Sequence, residues 1–224
     1  MNIVSVKKLF DSENNKNGIA EMKANGKVVV VTGAGAGMGR QVALELIRRG
    51  AKVACVDINQ NALDETVKLA GSDSEKIATH VVDISNQSDV AALPEKVISK
   101  FGQVDGLINV AGIIHKFMGV ADLSYEDFHK IFGVNFYGTV HMVKEFLPHF
   151  IKRPEAQILN VSSMGGYVPV PGQTVYGASK AAIKLFTEGL RSEMKGTNVG
   201  VALLFPGAVN TNISINSGST SSPE

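Results

Sequence analysis

Val28-Val-Val-Val-Thr-Gly-Ala-Gly-Ala-Gly-Met-Gly39 decides the fold of this chain. Four consecutive valines read as a strand buried on both faces. They run straight into a glycine-rich turn, and helical periodicity opens at residue 38. Glycine permits torsions closed to other residues and lets a ligand approach the backbone. The helix behind the turn aims unpaired N–H groups and its positive dipole end at that spot, which suits a pyrophosphate. Such a string is a weak signal alone and a stronger one between a buried strand and a helix; the competing reading is a tight turn that binds nothing. Outward from it, β-branched runs at 28–31, 53–56, 77–82, 106–110, 157–161 and 199–205 alternate with helical patterns near 38–49, 60–70, 88–101, 124–150 and 174–194. That alternation predicts an α/β fold, a doubly wound parallel sheet with right-handed crossovers in a single domain.

Composition narrows the function classes. The chain has 224 residues, 44% hydrophobic and 19% charged, with 22 basic against 21 acidic side chains. A net charge of +1 leaves no electrostatic footprint for nucleic acid or an anionic membrane. The single cysteine, Cys55, cannot form an internal disulfide, so a reducing, cytoplasmic setting is expected. No apolar run approaches the ~20 residues that span a bilayer. Residues 1–25 read as a polar arm, 26–211 as the domain and 212–224 as a polar tail.

Asp57 closes the second strand, 57 − 33 = 24 residues beyond Gly33. A carboxylate there accepts hydrogen bonds from both hydroxyls of an adenosine ribose and repels a 2′-phosphate. Ala36, Met38 and Ile58, the places for a compensating cation, are uncharged, so NAD is favoured over NADP. Otherwise Asp57 is a helix cap or a solvated loop acid. Arg40, one turn into the helix, reads as solvated rather than bent toward a phosphate. Asp83 ends the third strand either beside an adenine amino group or as a turn residue before Ser85.

Of four tyrosines only Tyr176 has a lysine four residues on, Lys180. The helical stripe Val175, Ala178, Ala182, Leu185, Phe186 and Leu190 leaves that pair together on another face. An ammonium near a phenol lowers its pKa from ~10 toward working pH, the tuning needed for acid/base work on an alcohol or carbonyl. The competing reading is a surface pair without function. In 124–150 the stripe Phe128, Ile131, Phe132, Met142, Phe146 passes through Asn135, an amide where an apolar side chain is expected. A buried amide needs partners, in a site or merely in a core.

The motifs Thr32-Gly-x3-Gly-x-Gly39, Asn109-x-Ala-Gly112, Asn135, Ser163, Tyr176-x3-Lys180 and Pro206-Gly207 occur in an order that resembles the short-chain dehydrogenase/reductase family over residues 26–211. The resemblance implies a Rossmann fold, a nicotinamide cofactor and a Ser–Tyr–Lys centre. On it, Tyr176 is the general acid/base, Lys180 holds the nicotinamide ribose and depresses the phenol, and Asn135 helps route protons through water. Ser163 bonds the substrate oxygen; Ser162 is adjacent, but the family's thirteen-residue offset from the tyrosine selects Ser163. Gly33, Gly37, Met38, Gly39, Asp57 and Asp83 hold the dinucleotide, Asn109 ties the central strands, and Gly112 lets the chain pass the cofactor. Val209 meets the carboxamide through its backbone and Thr211 touches the cofactor. One valine separates Asn109-Val-Ala-Gly112 from the family's commoner Asn-Asn-Ala-Gly.

Only 224 − 211 = 13 residues follow Thr211, where the family usually continues with a substrate-covering helix pair and a last strand, so the chain is expected either to be a piece of something longer or to lack the last strand and full lid. The expected activity is interconversion of a secondary alcohol and a ketone, in a homodimer or homotetramer; the alternative is a nucleotide-binding module without turnover. Ile113, Ile114, His115, Met164, Tyr167, Val168 and Val170 suggest an apolar substrate pocket. His115, His129, His141 and His149 read as solvated and form no metal set.

Overall fold

The six β-branched runs form six strands: β1 (Val28–Thr32), β2 (Lys52–Asp57), β3 (Ile77–Val81), β4 (Gly106–Asn109), β5 (Ala156–Val161) and β6 (Val199–Leu204). All pair in parallel, in the order β3-β2-β1-β4-β5-β6. Between them run α1 (Gly37–Arg48), α2 (Gln60–Leu69), α3 (Gln87–Ala91), α4 (Leu93–Phe101), α5 (Tyr125–Phe132), α6 (Gly138–Phe150) and α7 (Thr174–Glu193). This is the doubly wound parallel sheet that the alternation predicts. The computed structural model describes residues 23–207, Ile213 and Ser217. Most of the arm and the tail, with Val209 and Thr211, lies outside the described residues. No helix among the described residues is long and apolar enough to cross a membrane.

β1 is buried on both faces because its valines alternate between two cores. Val28 and Val30 pack with Leu93 and Val97 of α4 and Met142, Phe146 and Phe150 of α6. Val29 and Val31 pack with Val42, Leu46 and Ile47 of α1 and Leu63 of α2. At about 1.5–3 kcal/mol for each large apolar side chain buried, this double coverage pins β1 at the centre of the sheet. β6 departs from that pattern: Val199 and Val201 are buried, whereas Gly200 and Ala202 are half-buried. The chain leaves the sheet at β3 and returns at β4 beside β1, so the strand order reverses between them. The crevice at the carboxyl ends of β1 and β4 is where such a sheet binds its ligand.

Three helical expectations are corrected. The stretch 88–101 is two helices, α3 and α4, because Pro94 lacks the N–H to continue a helix and sits in the first turn of a new one. The stretch 124–150 is interrupted by a π-helical turn, Gly133–Tyr137, between α5 and α6. In α7, Ala178 and Leu185 are exposed, Leu185 at 71%. The buried face of α7 carries Val175, Ser179, Lys180, Ile183, Thr187 and Leu190. Periodicity of apolar residues misplaces that face because polar groups with partners occupy three of its positions.

At the other end of the sheet, Asp105 is fully buried just before β4. It accepts the Val28 N–H at 2.8 Å, Gln103 Nε2 at 2.7 Å and Arg153 Nε at 2.8 Å, tying β1, β4 and the approach to β5. Removing a buried carboxylate strands its donors. Asp105→Ala is expected to lower the unfolding free energy by about 3 kcal/mol, read as a drop in the urea midpoint.

Candidate active site

The sheet crevice opens on the glycine turn. Gly33 and Gly37 hold φ of +68° and +50°. Gly39 is buried against the turn, and a Cβ on it would lie 2.1 Å from the Gly33 carbonyl oxygen. Close packing of α1 on β1 therefore requires glycine there. Met38, between them, packs half-buried against the core. The amino end of α1 has no side-chain cap and no acid in its first turn, so its N–H groups face the crevice unclaimed by side chains. Asp57 closes β2 beside it: Oδ2 accepts the Gly35 N–H at 2.9 Å and Oδ1 the Asn59 N–H at 3.0 Å. Each oxygen keeps a lone pair for a further hydroxyl. These groups fit the phosphates and the ribose diol of a nicotinamide dinucleotide.

Two neighbours resolve differently from their sequence readings. Arg40 is not a solvated helix residue: it donates to the carbonyl oxygens of Gly35 and Ala62 and to Thr66 Oγ1, and pairs with Glu65 Oε2 at 2.7 Å. Asp83 Oδ1 accepts both the N–H and the hydroxyl of Ser85, at 2.9 and 2.7 Å, making the turn that was one of its two readings.

On the other side of the crevice, β5 ends in two serines with separate tasks. Ser162 is buried, and its hydroxyl donates to the Lys180 carbonyl at 2.7 Å. Ser163 opens a 3₁₀ turn (Met164–Gly166), accepts the Gly165 N–H at 3.0 Å and hydrogen-bonds the Tyr176 phenol. α7 then brings Lys180 beneath the tyrosine. Its Nζ lies 5.9 Å from the phenol ring centroid and donates to the Val161 carbonyl at 3.1 Å. Lys180 is only 4% exposed, and burial pulls its ammonium down to about 8. The phenol goes the opposite way from the sequence expectation. Burial pushes Tyr176 above its ordinary value, and the Ser163 hydrogen bond works against that rise. Desolvation penalises each charged form, so it raises the phenol and lowers the amine.

Asn135 lies in the π-helical turn, fully buried. Its Oδ1 accepts the Ile113 N–H at 2.8 Å, and its Nδ2 donates to the Ile113 carbonyl and to Ser179 Oγ, both at 3.0 Å. Gly112 sits where these groups meet: a Cβ there would lie 3.1 Å from Lys180 Nζ and 3.2 Å from Asn135 Oδ1. Its missing side chain thus makes room for the lysine and the amide, a reason that the sequence reading did not supply. Asn109 Nδ2 donates to Asn160 Oδ1 at 2.9 Å, and Asn160 donates to Thr187 at 3.0 Å, joining β4, β5 and α7.

Sequence reasoning missed Asn160, Ser179, Thr187 and Gln173. Asn160 carries the same signal as Asn135, an amide inside an apolar run. Ser179 and Thr187 carry none, since an alcohol on a helix reads as solvated. Gln173 is buried before α7 and donates to the His115 carbonyl at 2.6 Å. His115 is itself buried, not solvated, with Nδ1 2.7 Å from the Lys116 carbonyl oxygen. Met164, Tyr167, Val168 and Val170 are exposed after β5.

Comparison with known proteins places this geometry. The family model described as short chain dehydrogenase matches residues 27–222. A putative oxidoreductase SadH of Mycobacterium tuberculosis is 39% identical over 194 residues, covering 85% of this chain and 70% of that protein. A short chain dehydrogenase/reductase from Burkholderia phymatum, solved in complex with NAD, superposes with a TM-score of 0.83 at 34% identity, covering 87% of this chain and 70% of that one. A serine dehydrogenase complexed with NADP+ superposes at 0.78 with 30% identity, covering 84% and 75%.

Burial of Lys180 has a consequence for stability. The folded amine titrates near 8 and the unfolded one near its ordinary value of 10.5. Between those values the unfolded chain binds more protons, so this group's contribution favours folding as pH rises and is most unfavourable below 8. Relative to wild type, Lys180→Met is expected to be more stable at pH 7, by about 3 kcal/mol at most. The two stabilities should converge as pH approaches 10.5 in paired urea titrations.

Proposed function

The chain belongs to the short-chain dehydrogenase/reductase family, and from that premise we propose that this oxidoreductase interconverts a secondary alcohol and a ketone using NAD. The observation that carries the reading is the convergence of Ser163, Tyr176 and Lys180 on one side of a crevice whose other side is the glycine turn and Asp57. When bound, the dinucleotide supplies or accepts the hydride. Gly33, Gly37, Met38 and Gly39 would take its phosphates, Asp57 its adenosine diol, and Lys180 its nicotinamide ribose.

Tyr176 gives its phenolic proton to a ketone oxygen, or takes it back from an alcohol. Its raised pKa keeps it protonated through neutral pH, which suits proton donation; the reverse direction needs the phenolate and gains from alkaline pH. Ser163 donates toward the same substrate oxygen and steadies the charge developing there. Lys180, near 8, is the group whose proton is replaced from water, with Asn135 beside it. Asp57 and the uncharged Ala36, Met38 and Ile58 support NAD over NADP. Asp83 and the backbone near Val209 and Thr211 complete the proposed cofactor contacts.

Exposed Met164, Tyr167, Val168 and Val170 support a carbon-rich substrate. Exposed Tyr125, Tyr137 and Leu185 along α5, the π-helical turn and α7 support a homodimer or homotetramer built on those helices. Buried, reduced Cys55, its thiol pushed up to about 12, fits a cytoplasmic setting.

Tyr176→Phe should bind NADH as wild type does, by nicotinamide fluorescence, and lose roughly 10²–10⁴-fold in turnover across a panel of alcohols and ketones. Undiminished turnover would refute the assignment; a wild type that binds NADH and turns over nothing would mark a binding module. Asp57→Ala is expected to lower the NAD-over-NADP ratio of kcat/KM by about tenfold, the loss of one charge-assisted hydrogen-bonding site.

A further inference from the structure

Resting on that assignment of Tyr176, Lys180 and Asn135, we propose that Ser179 is a positioning residue that fixes the Asn135 amide against the catalytic helix. Ser179 is fully buried between the two catalytic positions of α7. Its hydroxyl has one proton, which it donates to the Tyr176 carbonyl oxygen at 2.7 Å. The oxygen is then left only as an acceptor, and it receives the Asn135 Nδ2 proton at 3.0 Å. The other Nδ2 proton goes to the Ile113 carbonyl. Both amide protons are therefore claimed, which holds the amide in one orientation.

That orientation matters because of where it points the amide oxygen. Oδ1 faces the Ile113 N–H and the space at Gly112, where Lys180 Nζ also lies. Nζ and Oδ1 thus border the same gap at residue 112, and the fixed amide turns its acceptor rather than its NH₂ group toward that gap. Through one hydroxyl, three separate segments keep register: the stretch after β4, the π-helical turn and the first turns of α7. An alcohol on a helix commonly back-bonds to its own preceding turn. Ser179 does so here, and the bond turns its lone pairs toward Asn135.

The test is a double-mutant cycle read by kinetics. Ser179→Ala is expected to reduce kcat about tenfold, with NADH affinity and KM for the dinucleotide unchanged and the pH profile of kcat displaced. On an Asn135→Ala background the same substitution should cost less than twofold, because Ser179 acts through that amide. Ser179→Cys keeps the side-chain volume with a poor acceptor; it should reproduce the alanine loss and serves if the alanine variant does not fold. Wild-type kcat in both Ser179 variants, or a full tenfold cost on the Asn135→Ala background, overturns the proposal. Failure of the underlying assignment reads differently, as undiminished turnover in Tyr176→Phe.

Discussion

An ammonium taken almost out of water is the constraint on which the rest of this site depends. Lys180 lies under the tyrosine ring with its Nζ on the Val161 carbonyl, and burial alone pulls it down to about 8. Keeping that amine buried places demands on three neighbouring elements. The last residue of β5 must offer its carbonyl to α7. Residue 112 must lack a side chain. The third is Asn135, whose Oδ1 borders the same gap at residue 112. The same dry surroundings raise the phenol, so burial drives two groups of nearly equal ordinary proton affinity apart, the phenol up and the amine down.

The elements most legible in the sequence were those whose signal is a backbone requirement or an unbroken apolar run. β1 and its turn were readable because four valines can only be a twice-buried strand and because the close packing of α1 leaves Gly39 no room for a Cβ. Asn135 was readable as an amide in an apolar stripe. The buried face of α7 was not, because Ser179, Lys180 and Thr187 bury polar atoms with partners that lie elsewhere in the chain, and no local pattern reports those partners. The phenol's direction was misjudged for a related reason. A neighbouring charge can be inferred from i,i+4 spacing, whereas desolvation is a property of the packed fold. The breaks at Pro94 and in the π-helical turn differ again: the proline was visible, and the extra residue of a π turn has no sequence mark.

Asp57 and Arg40 hold the glycine turn from two sides. One takes the Gly35 N–H, the other the Gly35 carbonyl, and Glu65 and Thr66 fix the guanidinium in place. A turn rich in glycine loses much conformational freedom on ordering. Holding its middle residue from both sides shifts that loss to folding, so less of it remains to oppose binding of a dinucleotide. The guanidinium is engaged by four groups in this arrangement, which leaves the carboxylate of Asp57 as the acid that faces the turn.

The two sides of the crevice are not independent. Thr32, the last residue of β1, accepts the N–H groups of both Val110 and Ala111, at 3.1 and 3.2 Å. One residue later the chain enters the glycine turn; across the bond, the next residues are Gly112 and Ile113, which receive Lys180 and Asn135. A single buried hydroxyl at the strand-order reversal therefore ties the glycine turn to the segment that packs against Lys180 and Asn135. Pairing of β1 with β4 alone fixes the strands, but it stops at Asn109. Beyond that point the backbone has no ladder to follow, and the Thr32 side chain extends the register of the sheet into the site.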